Sequence, residues 1–376
     1  MSSMLNVRVM TPPQSTLQHQ TLAPERLTRA KRAFSTRRVN LAQAEQLISG
    51  GYKPKAGDLV LARVGRVGQH KRIETPFGRR AHLFSGDEIV VAYGNRYAPD
   101  QFEGRVPEDL QPCELVAAGG IAANVVSKHR AISEATRIHP VGVLADSAGH
   151  ALNLKRFALP RVQAEQADGP TVIAVVGTSM NAGKTTAAAR LIRGLRRAGK
   201  QVAAAKLTGT GAGGDFWMMQ DAGAEPVIDF TDAGLPSTHG VRLDDIEQLT
   251  RQLLASLRAE SPDVIVAEVA DGLLQTETRN LIQSRTFKQQ VDGVLFAAGD
   301  AMGALAGSQL LSRSGNELLA ISGAMTASPL AVQEVEREVS CPVYLKTELS
   351  CANVVESMLA KASQKREGKG EKAATV

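Results

Sequence analysis

The sequence predicts an α/β protein: a mostly parallel, doubly wound sheet, preceded by a small β-rich, barrel-like domain. Three observations carry that expectation. From residue 171 onward, short apolar strands alternate with amphipathic stretches of helix length, the pattern of a parallel sheet covered on both faces. Between about 52 and 160 the apolar runs are short and are separated by Gly, Pro and Asp turns. The run Thr171–Val176 ends in a loop of small residues that closes on Gly183-Lys184-Thr185, and an alanine-rich helix follows.

Taken in order, residues 1–51 read as an N-terminal arm and helix. Pro12-Pro13 and many polar residues mark the arm, and 25–49 reads as helical until Gly50-Gly51 stops it. Residues 52–160 form the β-rich domain, with strands expected at 57–64, 80–86, 87–94 and 113–120. Pro160–Pro170 is the expected linker. The α/β domain spans 171–360, with strands at 171–176, 201–207, 226–230, 263–269, 292–298, 317–322 and 342–346. Its first helix carries Ala188, Leu191, Ile192, Leu195 and Ala198 at helical spacing and stops at Gly199. A later helix over Asp244–Arg258 is expected to start on a capping pair of Asp244 and Glu247. The charged tail 361–376 reads as disordered.

Composition narrows the classes. Of the 376 residues, 43% are hydrophobic and 4% aromatic, so the core is expected to be aliphatic. No stretch approaches the roughly 20 apolar residues of a membrane helix, and the first residues lack the apolar core of an export signal. Cys113, Cys341 and Cys351 show no pairing or metal spacing, which fits a reducing, cytoplasmic setting. The net charge of +6 is uneven, because residues 1–105 hold 17 Lys+Arg against 8 Asp+Glu. The densest basic stretches are Arg26–Arg38 and Arg63–His82. Such a face attracts acidic substrates, acidic partners or nucleic acid, or simply solvates the surface.

The Gly183-Lys184-Thr185 loop is built for phosphate. Its backbone N–H groups and the positive end of the following helix converge on an anion. The expected binding residues are Gly177, Thr178, Ser179, Asn181, Ala182, Gly183, Lys184, Thr185 and Thr186. Lys184 would serve the β- and γ-phosphates, and Thr185 would be a Mg²⁺ ligand. The common pattern asks for glycine at 178, whereas here Gly177 sits one residue earlier. At strand ends nearby, Lys206 precedes the glycine-rich stretch 208–215, and Glu268 precedes Asp271-Gly272. A lysine ending a buried strand is costly unless it faces a cleft and an anion. Acidic residues at the Glu268 position hold Mg²⁺ in phosphate-loop enzymes, and the spacing leaves open whether Glu268 or Asp271 lies nearer. Lys184, Lys206 and Glu268 are therefore the expected catalytic residues, and Thr185, Glu268 and Asp271 the expected metal ligands. The polar loop 229–240, with Asp229, Asp232 and His239, is a place for substrate contacts.

The stretch GTSMNAGKTT, Lys206 at 22 positions beyond Lys184, Glu268 and the Gly299/Gly303 turn resemble the dethiobiotin synthetase-like branch of P-loop NTPases. The resemblance covers about residues 171–345. The loop of that branch reads G-T-x-x-x-x-G-K-T, which accommodates Thr178. More loosely, the chain resembles a P-loop family that includes proposed D-glutamate N-acetyltransferases. Dethiobiotin synthetases have an acidic residue where Ser179 stands, an Asn-Asp pair near Ile321–Gly323, and no such N-terminal extension, so biotin synthesis is not expected.

The first resemblance implies an ATP-dependent (or GTP-dependent) ligase with Mg²⁺, which activates a carboxylate or carbamate by phosphoryl transfer. The second implies an acyl-CoA-dependent N-acyltransferase with the phosphate loop on the diphosphate. A third class is a nucleotide-regulated module whose basic N-terminal part binds RNA or protein. For that role GDLVLARVGRVG resembles a small barrel opening, and Phe77, Phe84, Tyr93 and Tyr97 are the stacking candidates. The expected partners are a nucleotide and an anionic small molecule, with nucleic acid less favoured, no membrane, and a homodimer as the assembly. The positive face of the β-rich domain is expected to lie over the phosphate-loop cleft.

Overall fold

The computed structural model describes residues 16–162 and 169–374. The expected arm's first fifteen residues and the middle of the expected linker, 163–168, lie outside the described residues. Among the described residues, eleven strands precede the expected linker. They are β1 (Leu17–Thr21), β2 (Lys31–Arg32), β3 (Gln46–Gly50), β4 (Leu59–Val64), β5 (Arg72–Glu74) and β6 (Arg80–His82). β7 (Glu88–Tyr93), β8 (Phe102–Arg105), β9 (Cys113–Ala117), β10 (Ile121–Lys128) and β11 (Thr136–Ala145) complete the set.

The domain is a barrel. β11 pairs with β4, β4 with β7, β7 with β10, β10 with β9, and β9 returns to β11. Val60, Ala62, Ile89, Val91, Tyr93, Leu115 and Ile138 fill one face of this sheet. The opposite residues Leu59, Leu61, Val90 and Ala92 are covered by Leu22, Leu27 and Leu47 from the N-terminal segment. Burial on both faces explains why these strands read as continuous apolar runs rather than as alternation.

After the linker, six parallel strands run in the order β14-β13-β15-β12-β16-β17. They are β12 (Thr171–Gly177), β13 (Val202–Thr208), β14 (Val227–Asp229), β15 (Val264–Val269), β16 (Gly293–Ala297) and β17 (Leu318–Ser322). Every residue of β12, β13, β15 and β16 is buried. One side is covered by α2 (Lys184–Arg197), α3 (Gly213–Asp221) and α9 (Ala352–Ala374). The other is covered by α4 (Leu243–Arg258), α5 (Thr276–Gln283), α6 (Arg285–Gln290), α7 (Ala301–Arg313) and α8 (Pro329–Glu338). This is the doubly wound sheet expected of a P-loop NTPase fold. Among the described residues no helix is long and apolar enough to cross a membrane.

Several expectations need correction. Instead of a helix over 25–49, the chain forms a six-residue helix, α1 (Pro24–Arg29), two short 3-10 turns and the strands β2 and β3. Tertiary pairing overrides local propensity here, because β3 joins β1 and β11. The strand expected at 342–346 is reduced to one bridge between Val343 and Ile321. The strand expected at 80–86 covers only 80–82. α4 starts from Arg242 with no side-chain cap, since Asp244 turns to Arg242 and Glu247 to Arg251. The tail expected to be disordered continues α9 to Ala374.

The barrel sits against the carboxyl ends of β12–β15. Arg37 reaches across to Asp229 at 3.0 Å, and also bonds Asp232 and Thr231. Its guanidinium lies 4.2 Å from the Phe34 ring centroid and 4.9 Å from that of Phe216. The loop 229–240 thus spends Asp229 and Asp232 on holding the domains together. That role replaces the substrate contact expected of them.

Candidate phosphate and metal site

β12 delivers the chain to Gly177, and α2 begins at Lys184. A Cβ at Gly177 would lie 2.7 Å from Lys184 Cγ and 3.0 Å from the Ala297 carbonyl oxygen, so only glycine fits where the lysine passes. Gly183 holds φ at +93° at the helix entry, a conformation that disfavours other residues. Thr178 is tied to β16: its N–H donates to Ala297 O at 3.0 Å and its hydroxyl accepts from Gly299 N at 3.1 Å. The absence of glycine at 178 is therefore a structural use of the threonine, and it gives the Gly299 turn its role.

Lys184 is buried and folds back over its loop, donating to Ser179 O at 2.7 Å. Burial lowers its pKa, with Glu268 and Asp271 acting against that fall. Thr185 points its hydroxyl at two carboxylates, 2.9 Å from Asp215 Oδ1 and 3.1 Å from Glu268 Oε1. Lys206 and Glu268 are register partners on adjacent strands, and the Lys206 ammonium pairs with Asp215 Oδ2. Burial pulls the Lys206 pKa down, but Asp215 and Glu268 outweigh it and raise it overall. Asp215 is held low because Lys206 overcomes its own burial. Glu268 moves the other way: burial and the Asp215 charge push it up to about 7. Its Oε2 is buried without a partner, at a cost that a cation would offset.

Asp215 was not anticipated. It lies in the first turn of α3, as the last residue of the glycine-rich stretch, and a counter-ion for Lys206 was the signal that called for it. Asp271 lines the same cleft, but among the described residues its carboxylate bonds neither Thr185 nor Lys206. Instead its N–H donates to Thr278 Oγ1 at 3.0 Å, and burial raises its pKa. The carboxylates placed on Thr185 are therefore Glu268 and Asp215.

Asn181, Lys184, Thr185, Lys206, Glu268 and Asp271 line one cleft of about 690 Å³. Gly177, Thr178, Ser179, Ala182, Gly183 and Thr186 shape the loop and helix start behind it. Among the described residues no three His, Cys, Asp or Glu side chains form a ready metal cage. Mg²⁺ seldom needs one, because it takes one or two carboxylates with phosphate and water. A hydroxyl flanked by two carboxylates, one with a free oxygen, fits that donor set.

The far wall of the cleft belongs to the barrel. β5 and β6 form a hairpin with Arg72 opposite His82 and Glu74 opposite Arg80. Ile73 and Ala81 point into the barrel core, so the alternating residues Arg72, Glu74, Arg80 and His82 face the cleft. The basic part thus lies over the phosphate loop, as its charge suggested. Asn181 bonds Asp100, and Gly213 N donates to Glu74 Oε2 at 2.6 Å, closing the seam. Of the stacking candidates, Tyr93 is fully buried, Phe77 and Phe84 are exposed, and Tyr97 lines the cleft. They form no common platform. His239 packs 3.4 Å from Glu277 and is absent from the cleft lining.

A parallel sheet, a loop joining β12 to α2, and Gly183-Lys184-Thr185 at the helix start define a P-loop NTPase fold. No family model and no curated protein matches the chain. Among solved structures, it is similar to the signal recognition particle receptor FtsY from Elizabethkingia anophelis in complex with GDP, at 17% identity and TM-score 0.38. That match covers 52% of this chain and 65% of the other. Cell division protein FtsY from Thermotoga maritima matches at 20% identity and TM-score 0.34, over 54% of this chain and 71% of that one. A DUF1611 family protein from Anabaena variabilis matches at 13% identity and TM-score 0.38, over 57% and 66%. The chain spans about two thirds of the length of these proteins.

Proposed function

We propose that the protein is a Mg²⁺-nucleotide-dependent enzyme of the dethiobiotin synthetase-like kind, which activates a carboxylate by phosphoryl transfer from ATP. The observation that carries this reading is the second buried lysine, Lys206, set beside the Thr185 hydroxyl through Asp215. A regulatory phosphate loop needs one lysine; two converge where charge on a transferred phosphoryl group must be neutralised. Residues 171–360 hold the nucleotide, and residues 52–160 hold the acceptor. Thr185, Asp215 and Glu268 would hold Mg²⁺, which supplies further charge neutralisation. Lys184 exchanges the Ser179 carbonyl for the β/γ-phosphates. The acceptor carboxylate oxygen bonds to the γ-phosphorus as the β,γ-bridging P–O bond breaks, and its electron pair leaves on ADP. A nucleophile then attacks the acyl phosphate and releases phosphate.

One observation favours a second reading, an acyl-CoA-dependent acyltransferase. The phosphate loop with Lys184 shares one cleft with Lys71, Arg72 and Arg80, a set of cations suited to the several phosphates of an acyl-CoA. A binding screen with ATP, GTP and acetyl-CoA, each with and without Mg²⁺, separates the two. Phosphoryl transfer requires Mg²⁺-dependent stabilisation by a nucleoside triphosphate, about 2.7 kcal/mol at a hundred times Kd. Stabilisation by acetyl-CoA alone, independent of Mg²⁺, would replace it with acyl transfer.

A further inference from the structure

We propose that the barrel wall of the cleft is a carboxylate-binding subsite, formed by Arg96 with Lys71 and Arg72 beside it, that anchors the acceptor substrate. The proposal rests on the phosphoryl-transfer reading, whose second ligand it identifies.

Arg96 lines the cleft and is 5% exposed. Its Nη2 donates to Gln101 Oε1 at 2.8 Å, its Nη1 lies 3.1 Å from His70 Nε2, and its Nε is buried with no partner. The His70 contact is not a hydrogen bond from Arg96. His70 Nε2 also lies 2.8 Å from Val116 O, and a carbonyl oxygen only accepts. The ring proton therefore sits on Nε2 and points to Val116, leaving no lone pair for the guanidinium. Burial and Arg96 hold the His70 pKa down to about 4, so the ring is neutral at physiological pH. Arg96 is left with one protein acceptor for its five N–H groups. Among the described residues it forms no ion pair.

Three other cations of the cleft are engaged. Arg80 is 3.1 Å from Glu74, Lys206 pairs with Asp215, and Lys184 lies on the phosphate loop. Lys71 and Arg72 are exposed on the cleft wall and form no ion pair among the described residues. The phosphate loop and its two lysines answer the charge of a nucleotide. Arg96, Lys71 and Arg72 are then surplus positive charge on the opposite wall. The Asp271 charge acts on Arg96 from within the same cleft but forms no ion pair with it. A buried guanidinium so weakly compensated is costly, and its planar fork suits a carboxylate held by two parallel bonds.

The test uses the full chain with Mg²⁺ and a non-hydrolysable ATP analogue at constant ionic strength, titrated calorimetrically with succinate and with its uncharged dimethyl ester. Succinate is expected to bind saturably and the ester not at all. Arg96→Met should weaken succinate about tenfold or more and leave the affinity for the analogue unchanged. Should Arg96→Met not fold, the exposed pair Lys71→Ala with Arg72→Ala decides the matter by the same criterion. Lys184→Ala should lose the analogue and keep succinate, so failure of nucleotide binding in the parent would count against the phosphoryl-transfer reading alone. The subsite is overturned if the parent shows no saturable succinate binding, or if the variants bind it as the parent does. It is equally overturned if Arg96→Met loses the analogue instead, which would assign Arg96 to the transferred phosphoryl group.

Discussion

Asp215→Asn tests whether the Lys206–Asp215 pair is a buried, energetically coupled unit. The Lys206 side chain is 7% exposed and that of Asp215 is 30% exposed. Breaking a buried pair from one side costs about 3–5 kcal/mol, because the remaining charge is stranded. The partial exposure of Asp215 and the Glu268 carboxylate that remains beside Lys206 place this case at the lower end, about 3 kcal/mol. In a domain of this size each kcal/mol lowers Tm by about 2–4 °C, so the expected fall is about 6–12 °C. Adding Lys206→Met removes the stranded ammonium, and the double variant should regain most of the loss. Thermal unfolding of the four proteins without nucleotide forms a double-mutant cycle. A single variant within about 0.5 kcal/mol of the parent, or strictly additive losses, would refute the reasoning.

Glu268 gives a pH dependence of unusual sign. Its carboxyl titrates at about 7 in the folded state against 4.5 unfolded, so its contribution is fully present below about 4.5 and is lost as pH rises through about 7. His70, held at about 4 against 6.5, acts oppositely, losing stability as pH falls through that window. The difference in unfolding free energy between parent and Glu268→Gln, measured from pH 4 to 8, isolates the first effect; a difference that does not change with pH would refute it. Gly177→Ala places a methyl against Lys184 Cγ and Ala297 O, and should cost about tenfold or more in nucleotide affinity. Gly315→Ala, whose Cβ meets nothing within 4 Å, should leave that affinity intact. Arg37→Met strands Asp229 and Asp232 at the domain seam, a loss of about 3–5 kcal/mol. Arg37→Lys should rescue it only in part: an ammonium can bridge the two carboxylates as Nη2 does, but it lacks the second nitrogen that bonds Thr231 and the planar face that lies on Phe34 and Phe216. Faster proteolysis of the Pro160–Pro170 segment is the expected readout, and an unchanged rate contradicts the latch.

The α/β half was legible because its strands are buried on both faces and its helices on one. Thr171–Gly177 and Val264–Val269 announce themselves as unbroken apolar runs, and α2 and α4 by their 3.6-residue period. The barrel was half visible. β10 is exposed over most of its second half and β11 contains Pro140, so neither carries the pattern of a strand, yet both close the ring. The segment 25–49 read as a helix ending at Gly50-Gly51, yet Leu27 and Leu47 are buried together over the barrel sheet while Phe34 packs on Phe216 and Trp217 of the other domain, contacts that a single helix face does not provide. Lys184, Thr185, Lys206 and Glu268 stood out because strand ends and a glycine-rich loop mark their places. Asp215 and Arg96 did not, since each gains its meaning from partners distant in sequence or on another strand. Thr178, an irregularity in the motif, became intelligible once its hydroxyl was seen to accept from Gly299.

The central claim is that this cleft binds the phosphates of a Mg²⁺-nucleotide through Lys184 and the Thr185–Asp215–Glu268 cluster. Calorimetric titration of ATP into the parent and into Lys184→Ala, with and without Mg²⁺, tests it most directly. The account predicts binding to the parent that requires Mg²⁺ and is abolished in Lys184→Ala, whose fold without ligand stays intact. Equal Mg²⁺-ATP affinity in parent and variant would contradict it.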